Sequence, residues 1–224
     1  MILMIKEINN PRSGEKYIQS DLQSYAPAAD KLIIKTVNEL EAQCFIKRSV
    51  LLNYEDIYKD NRKSLNNLFN QLLLLEYAEK SIISKSSYET IVCCRDDILV
   101  KKNIFRRFIR TEANEIILPG FHWHKGYNDR FMFGDKDVAK FWAGRIMNLN
   151  KLYQKQQYLS GEKLVKFTLN EKNITILALP RVFPRIRHND FLRKERNTMS
   201  LNRPVEFIQI IRAISKYLLR SLFW

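Results

Sequence analysis

Three cysteines in 224 residues give this chain no disulfide framework. Cys93 and Cys94 are neighbours in an apolar run, where adjacent side chains point to opposite faces of a strand and do not pair. Cys44 stands alone, and none of the three has metal-ligand spacing. The odd count points to a reducing compartment, with the cysteines acting as small hydrophobic side chains. Long apolar runs are also missing: none reaches the roughly 18 residues that cross a bilayer. Met1 to Ile5 is too short for a signal peptide, and no small-residue cleavage site follows it, so it reads as a first strand. There is no internal repeat, no low-complexity tract, and no helix-turn-helix, zinc-finger or RNP-like segment. Acidic residues are scarce relative to basic ones, 24 against 38, which leaves a net charge of +14.

That charge selects anionic partners: nucleic acid, phosphorylated ligands or an anionic membrane. Much of it follows Pro180, from Arg181 to Arg220. Hydrophobic residues make up 46% of the chain, enough for a proper core and too many for a disordered one. The length suits one α/β domain, or one domain with a tail.

The pattern predicts a strand over 1–8, a Pro- and Gly-punctuated loop over 9–14, a helix over 15–25 and a strand over 31–37, a first βαβ unit. A further strand is expected over 50–54. The clearest helix spans 64–84, with Ser64 as its cap. A buried strand over 88–94 runs straight into charge. Short strands follow at 115–119 and 130–133, with an aromatic, histidine-bearing loop between them. One or two helices over 136–158, a helix over 162–170 and a strand over 173–179 lead to a final helix over 204–224.

Three constellations could carry chemistry. Arg95-Asp96-Asp97 follows a hydrophobic strand, where open α/β sheets place ligands. Two carboxylates there suit Mn²⁺ or Mg²⁺ bridging a diphosphate, with Arg95 on phosphate. The second runs from Phe121 to Gly134. Its aromatics offer stacking faces, its Asn and Asp side chains bond hydroxyls, and Asp129 suits a general base. His122 and His124 would share a face if the segment were extended, which makes a metal site conceivable, with a structural role as the default. The third is the tail. Phe207, Ile211, Ile214, Leu218 and Leu222 recur at helical spacing beside Arg212, Lys216 and Arg220, with Tyr217, Phe223 and Trp224 suited to a headgroup boundary. Such a helix binds a membrane surface or docks on its own domain.

Asn66 to Gln71, then Ile91 to Asp97 ending in Arg-x-Asp, then Asn128 to Gly134 followed by Asp137 to Trp142, resemble segments of bacterial glycosyltransferase-like proteins of lipopolysaccharide core and capsule synthesis, the WavE-like group. Glu162, before an apolar helix, matches a further feature of that group. The resemblance covers roughly residues 60 to 190. It implies a single GT-A-like, Rossmann-like mixed sheet flanked by helices, with residues 1–200 as the transferase domain. In that domain 1–100 form the nucleotide-sugar half and 101–200 the acceptor half, and 201–224 form a basic amphipathic helix. It also implies a nucleotide-sugar donor, a glycan or lipid-linked glycan acceptor, and a divalent metal at Asp97, with Asp96 beside it. On this expectation Arg95, Asn128 and Arg130 contact substrate, and His122, Trp123 and Tyr127 shape the acceptor pocket. Asn9, Arg12 and Ser13 line the nucleotide side by fold analogy. Asp129 is the acceptor base if the transfer inverts configuration, and the tail holds the protein on the inner face of an anionic plasma membrane. Two other readings stay open. One is a nucleic-acid-binding basic protein, which the lack of a recognition motif disfavours. The other is an inactive transferase remnant that acts as a partner protein.

Overall fold

The computed structural model describes residues 2–6, 9–10, 15–16, 31–95, 98, 111–180 and 204–222. The chain is an α/β protein. Its centre is one open, mixed, four-stranded sheet made of β5 (Thr90–Cys94), β6 (Glu115–Pro119), β7 (Phe131–Asp135) and β8 (Thr175–Leu179), in the order β5-β7-β6-β8. β7 runs antiparallel to β5 and β6, and β8 runs parallel to β6. The carboxyl ends of β5, β6 and β8 therefore meet the amino end of β7 along one margin of the sheet.

β6 is buried along its whole length, as expected of an inner strand covered on both faces. Ile116 and Leu118 point into a core with Val138, Trp142, Val165 and Leu169. Ile117 points the other way, towards Phe131, Leu177 and Tyr217. β5 departs from the buried strand expected of it. It lies at the edge of the sheet, with Thr90, Val92 and Cys94 exposed and Ile91 and Cys93 turned inward. The alternation confirms that the two cysteines face apart. Cys44 is buried, whereas Cys94 is not a core residue at all.

Two short ladders precede this sheet. β1 (Ile2–Lys6) pairs in parallel with β4 (Lys31–Lys35). β2 (Asn9–Asn10) pairs antiparallel with β3 (Glu15–Lys16). Glu15 and Lys16 are thus strand, not the start of a helix, and Asn9 sits in a ladder rather than a loop. The rest of the expected 15–25 helix lies outside the described residues. Thr36 ends β4 and caps α1 (Val37–Gln43) with a reciprocal capping box to Glu39.

The apolar run 50–54 forms a 3-10 helix, Arg48–Asn53, rather than a strand. It packs Val50 and Leu51 against Leu65, Phe69 and Leu72 of α2 (Lys63–Ala78). α2 continues into a π-turn over Glu79–Ile83, close to the end expected. Its cap is not Ser64: the Asp60 carboxylate accepts from the Ser64 hydroxyl at 2.6 Å and from the Ser64 N–H. Asn66 and Asn70, in the helix cited for the resemblance, accept from the Arg48 guanidinium at 2.9 and 2.7 Å. They tie the 3-10 helix to α2.

After β7 come α3 (Lys136–Ala143), a 3-10 turn over Gly144–Asn148, α4 (Leu149–Lys155) and α5 (Gly161–Glu171). Asp135 caps α3 and Ser160 caps α5, each by accepting from a backbone N–H three residues on. α6 (Pro204–Leu222) lies along β8. Its inward stripe is Ile210, Ala213, Ile214 and Tyr217, the i, i+3, i+4, i+7 spacing of a docked helix. Tyr217 is therefore a core residue at 6% exposure, not a headgroup anchor. Ile208, Ile211, Leu218 and Leu219 stay exposed on the outer side. Among the described residues no helix is long and apolar enough to cross a membrane.

Leu72 is fully buried at the joint between α2 and the helical core. Leu72→Ala is expected to lower unfolding free energy by about 2–5 kcal/mol in urea titration, through the cavity it leaves.

Candidate functional site

The connection from β6 to β7 crosses the sheet margin and carries most of the residues singled out in the sequence. Its backbone is unusual: His122, His124 and Lys125 hold φ of 58, 39 and 67°. Non-glycine residues reach this left-handed region only when their surroundings impose it. Here Trp123 imposes it. Its ring is 3% exposed, its Nε1 donates to the Pro119 carbonyl at 2.7 Å, and it packs on Ala178 and Ala213. The segment is thus a tight loop around a buried tryptophan, not an extended run. His122 and His124 still lie ring against ring, 5.8 Å apart. Trp123, expected to line an acceptor pocket, instead anchors the loop to β8 and α6.

Asn128 fixes the other end of the loop. Its Nδ2 donates to the Phe121 carbonyl and its Oδ1 accepts from the Arg130 N–H, both at 2.9 Å. Asn128 is thereby a loop lock. The Arg95 N–H donates to the Arg130 carbonyl at 2.9 Å, which extends the β5–β7 ladder by one step. Arg95, Asn128, Asp129 and Arg130 are therefore together at one margin.

The loop then closes on the first turn of α5. The Tyr127 N–H donates to the Glu162 carbonyl at 2.9 Å. Gly126 lies so close that a Cβ there would sit 2.1 Å from that carbonyl. A Cβ on Gly161 would sit 2.2 Å from Oδ2 of Asp129. The Asp129 carboxylate, 7% exposed, thus rests on the Gly161 backbone at the amino end of α5, where helix N–H groups favour negative charge. Glu162 is the next residue, and its carboxyl is within electrostatic reach of Asp129. Burial first, and the Asp129 charge second, push Glu162 up to about 7, against hydrogen bonds from its own backbone and Ser160 and the charge of Arg130.

Behind this pair lies Arg145, which no motif indicated. It is fully buried, its Nη1 donates to the Trp142 carbonyl at 2.6 Å, and its guanidinium sits 4.1 Å from the Trp142 ring centroid. Among the described residues its Nε and Nη2 find no acceptor. Burial lowers its pKa to about 10, opposed by Asp129 and Cys93 and assisted by Arg95. At neutral pH it stays a cation behind Asp129. Burial likewise pushes the inward Cys93 thiol up to about 12, with Cys94 adding and Arg145 opposing, so this thiol is not a nucleophile. A trace of Arg145 was in the sequence: Val138, Trp142, Arg145, Leu149 and Leu152 form one helical stripe with a single charge in it.

Arg12, Ser13, Asp96 and Asp97 lie outside the described residues, as do the side chains of Asn9, Phe207, Arg220 and Leu222. Among the described residues there is no group of three or more His, Cys, Asp or Glu side chains placed to hold a metal. What the margin does assemble is two carboxyls, on a rigid loop and a helix start, with a buried cation within electrostatic reach of Asp129. Of the two, Glu162 holds its proton to about neutral pH. No protein-family model, no curated protein and no solved structure matches the chain.

A carboxyl that keeps its proton to about pH 7 in the folded state, but releases it in the ordinary carboxyl range when unfolded, loses stability as pH rises between those limits. Glu162→Gln removes that loss. Its stability relative to wild type is expected to grow from about pH 4.5 to about pH 7 and then level off, as read from urea midpoints across pH.

Proposed function

We propose that this chain is a glycosyltransferase that moves a sugar from a nucleotide-sugar donor to a surface glycan. The observation that carries the reading is the Asp129–Glu162 pair at the carboxyl ends of β5, β6 and β8, backed by Arg145. Open α/β sheets bind ligands at that margin. The reaction needs one group to take a proton from the acceptor hydroxyl as its oxygen bonds the anomeric carbon. The bond from that carbon to the diphosphate breaks, and its electron pair leaves with the phosphate oxygen. Asp129 suits the first task, because its carboxylate is held by Gly161 and compensated by Arg145. Glu162 keeps a proton near neutrality and donates a hydrogen bond to a sugar hydroxyl. Arg95 meets the leaving diphosphate, and Arg130 adds charge at the same margin. Asp96 and Asp97, two carboxylates directly after Arg95, are a donor set that suits Mn²⁺ or Mg²⁺; when bound, the cation neutralises charge on the diphosphate.

The reading includes peripheral contact with an anionic membrane. Its support is the outer side of α6, where Ile208, Ile211, Leu218 and Leu219 are 42–57% exposed beside Arg212 and Lys216. Because the same helix docks on β8, deleting it would damage the fold, and single outward substitutions are the better probe.

Calorimetric titration with nucleoside diphosphates, with and without Mn²⁺, tests the donor half. One nucleotide should bind in a metal-dependent manner, and Asp97→Ala should abolish the effect. Asp129→Asn should bind the same nucleotide but turn over about 10²–10⁴-fold more slowly. A well-folded wild-type protein that binds no nucleotide would sink the transferase reading in favour of an inactive remnant. For the membrane half, Leu219→Asp should abolish flotation with phosphatidylserine vesicles while leaving the melting temperature within a few degrees of wild type.

A further inference from the structure

The segment between the 3-10 helix and α2 is held more firmly than a connector needs. Asp56 accepts from the Arg62 N–H at 2.9 Å. The Arg62 guanidinium donates to the Tyr54 carbonyl at 2.9 Å and also reaches the Leu51 carbonyl. Lys59, Asn61 and Arg62 hold φ of 50, 54 and 61°, so the loop is fixed in a shape that non-glycine residues adopt only under constraint. Outward this rigid loop presents Ile57 and Tyr58 among the exposed Glu55, Lys59 and Asn61. Ile57 is 40% exposed and Tyr58 62%. An aromatic ring on a fixed backbone can be covered by a ligand with little ordering cost.

The loop stands beside the carboxyl pair. The Glu55 N–H donates to the Gln157 carbonyl at 2.9 Å, which pins it against the stretch leading to Ser160. The Tyr58 hydroxyl lies within electrostatic reach of Tyr158, Glu162 and Asp60. Tyr158 is half-buried, with the Lys163 ammonium 3.7 Å from its ring centroid. Lys163 in turn donates to Gln156 Oε1 at 3.2 Å. An open aromatic face thus adjoins an amide, an ammonium, a phenol and a carboxyl that carries a proton near neutrality.

We propose that Tyr58 and Tyr158 form a pyranose-binding subsite next to the Asp129–Glu162 pair, which takes the acceptor sugar of the transfer reaction and rests on that reading for its role. A pyranose has an apolar C–H face for the Tyr58 ring and a rim of hydroxyls for the polar groups around Tyr158. Asp60 and Glu162 lie within electrostatic reach of Tyr58, whereas Arg95, the arginine suited to phosphate, follows Cys94 at the end of β5. Donor phosphate and acceptor sugar would then approach the carboxyl pair from different sides.

The 224-residue chain labelled with 3-fluorotyrosine tests this by ¹⁹F NMR, with the Tyr58 and Tyr158 signals assigned from Tyr58→Phe and Tyr158→Phe. The probes are methyl β-glucoside, methyl β-galactoside and methyl β-N-acetylglucosaminide. At least one should shift both signals. Tyr58→Ala, read at the Tyr158 signal, should weaken that binding by roughly tenfold, the worth of one aromatic stack, and Tyr58→Phe should bind as wild type does. Tyr58 is exposed, so a matching melting temperature will show that Tyr58→Ala is folded. The subsite is overturned if no probe shifts the two signals, if Tyr58→Ala binds as tightly as wild type, or if uridine monophosphate shifts them at lower concentration than any sugar. Calorimetry of the same samples with nucleoside diphosphates separates the two readings. Nucleotide binding without sugar binding overturns the subsite alone. Sugar binding without nucleotide binding overturns the transferase and leaves a sugar-binding site.

Discussion

The approach of the β6–β7 connection to the first turn of α5 sets the geometry of this end of the molecule. Two glycines make it possible: Gly126 lies against the Glu162 carbonyl, and Gly161 lies under the Asp129 carboxylate. With side chains at either place, the loop and the helix could not meet at these distances. The two acids would then be separate surface groups in water, each with ordinary chemistry. Brought together, they share a field, and burial makes that field strong. The Tyr127–Glu162 backbone bond and the Asn128 lock hold the arrangement without using either carboxyl.

Arg145 gives the pair its asymmetry. A buried guanidinium with donors left over is costly, and a core made only for stability would hold an apolar side chain there. Its ring contact with Trp142 and its single carbonyl bond recover part of that cost. What remains is a buried cation within electrostatic reach of Asp129. A π-turn ends α2, and a 3-10 turn carries Arg145. Such departures from ideal helix accompany side chains placed for a purpose other than packing.

Much of this was legible in the sequence, because periodicity survives where packing is regular. β6, β7, β8, α2 and α5 all stand within a few residues of where pattern put them, and Asp129, Asn128, Arg130 and Arg95 do gather at one margin. The failures have physical causes. The run 50–54 is apolar but short, and a short apolar run fits a strand or a buried 3-10 helix equally well. Ser64 looked like a cap, yet Asp60 takes its N–H, because an aspartate four residues earlier reaches the same donors. Trp123 looked like a ligand surface, yet it is the anchor of its loop. Composition cannot tell which side of an aromatic loop faces in. The tail showed a single apolar face, but the docked helix divides it between an inward and an outward stripe.

The order of the elements has a consequence for how the site comes into being. β6, the loop, β7, α3, α4, α5 and β8 follow one another without interruption from Glu115 to Leu179. Asp129, Arg145 and Glu162 all belong to that stretch. Contacts between near neighbours in sequence close small loops and lose little chain entropy, so they form early as a chain collapses. The three residues of the site thus come from one continuous stretch of chain, whose internal closures cost little entropy.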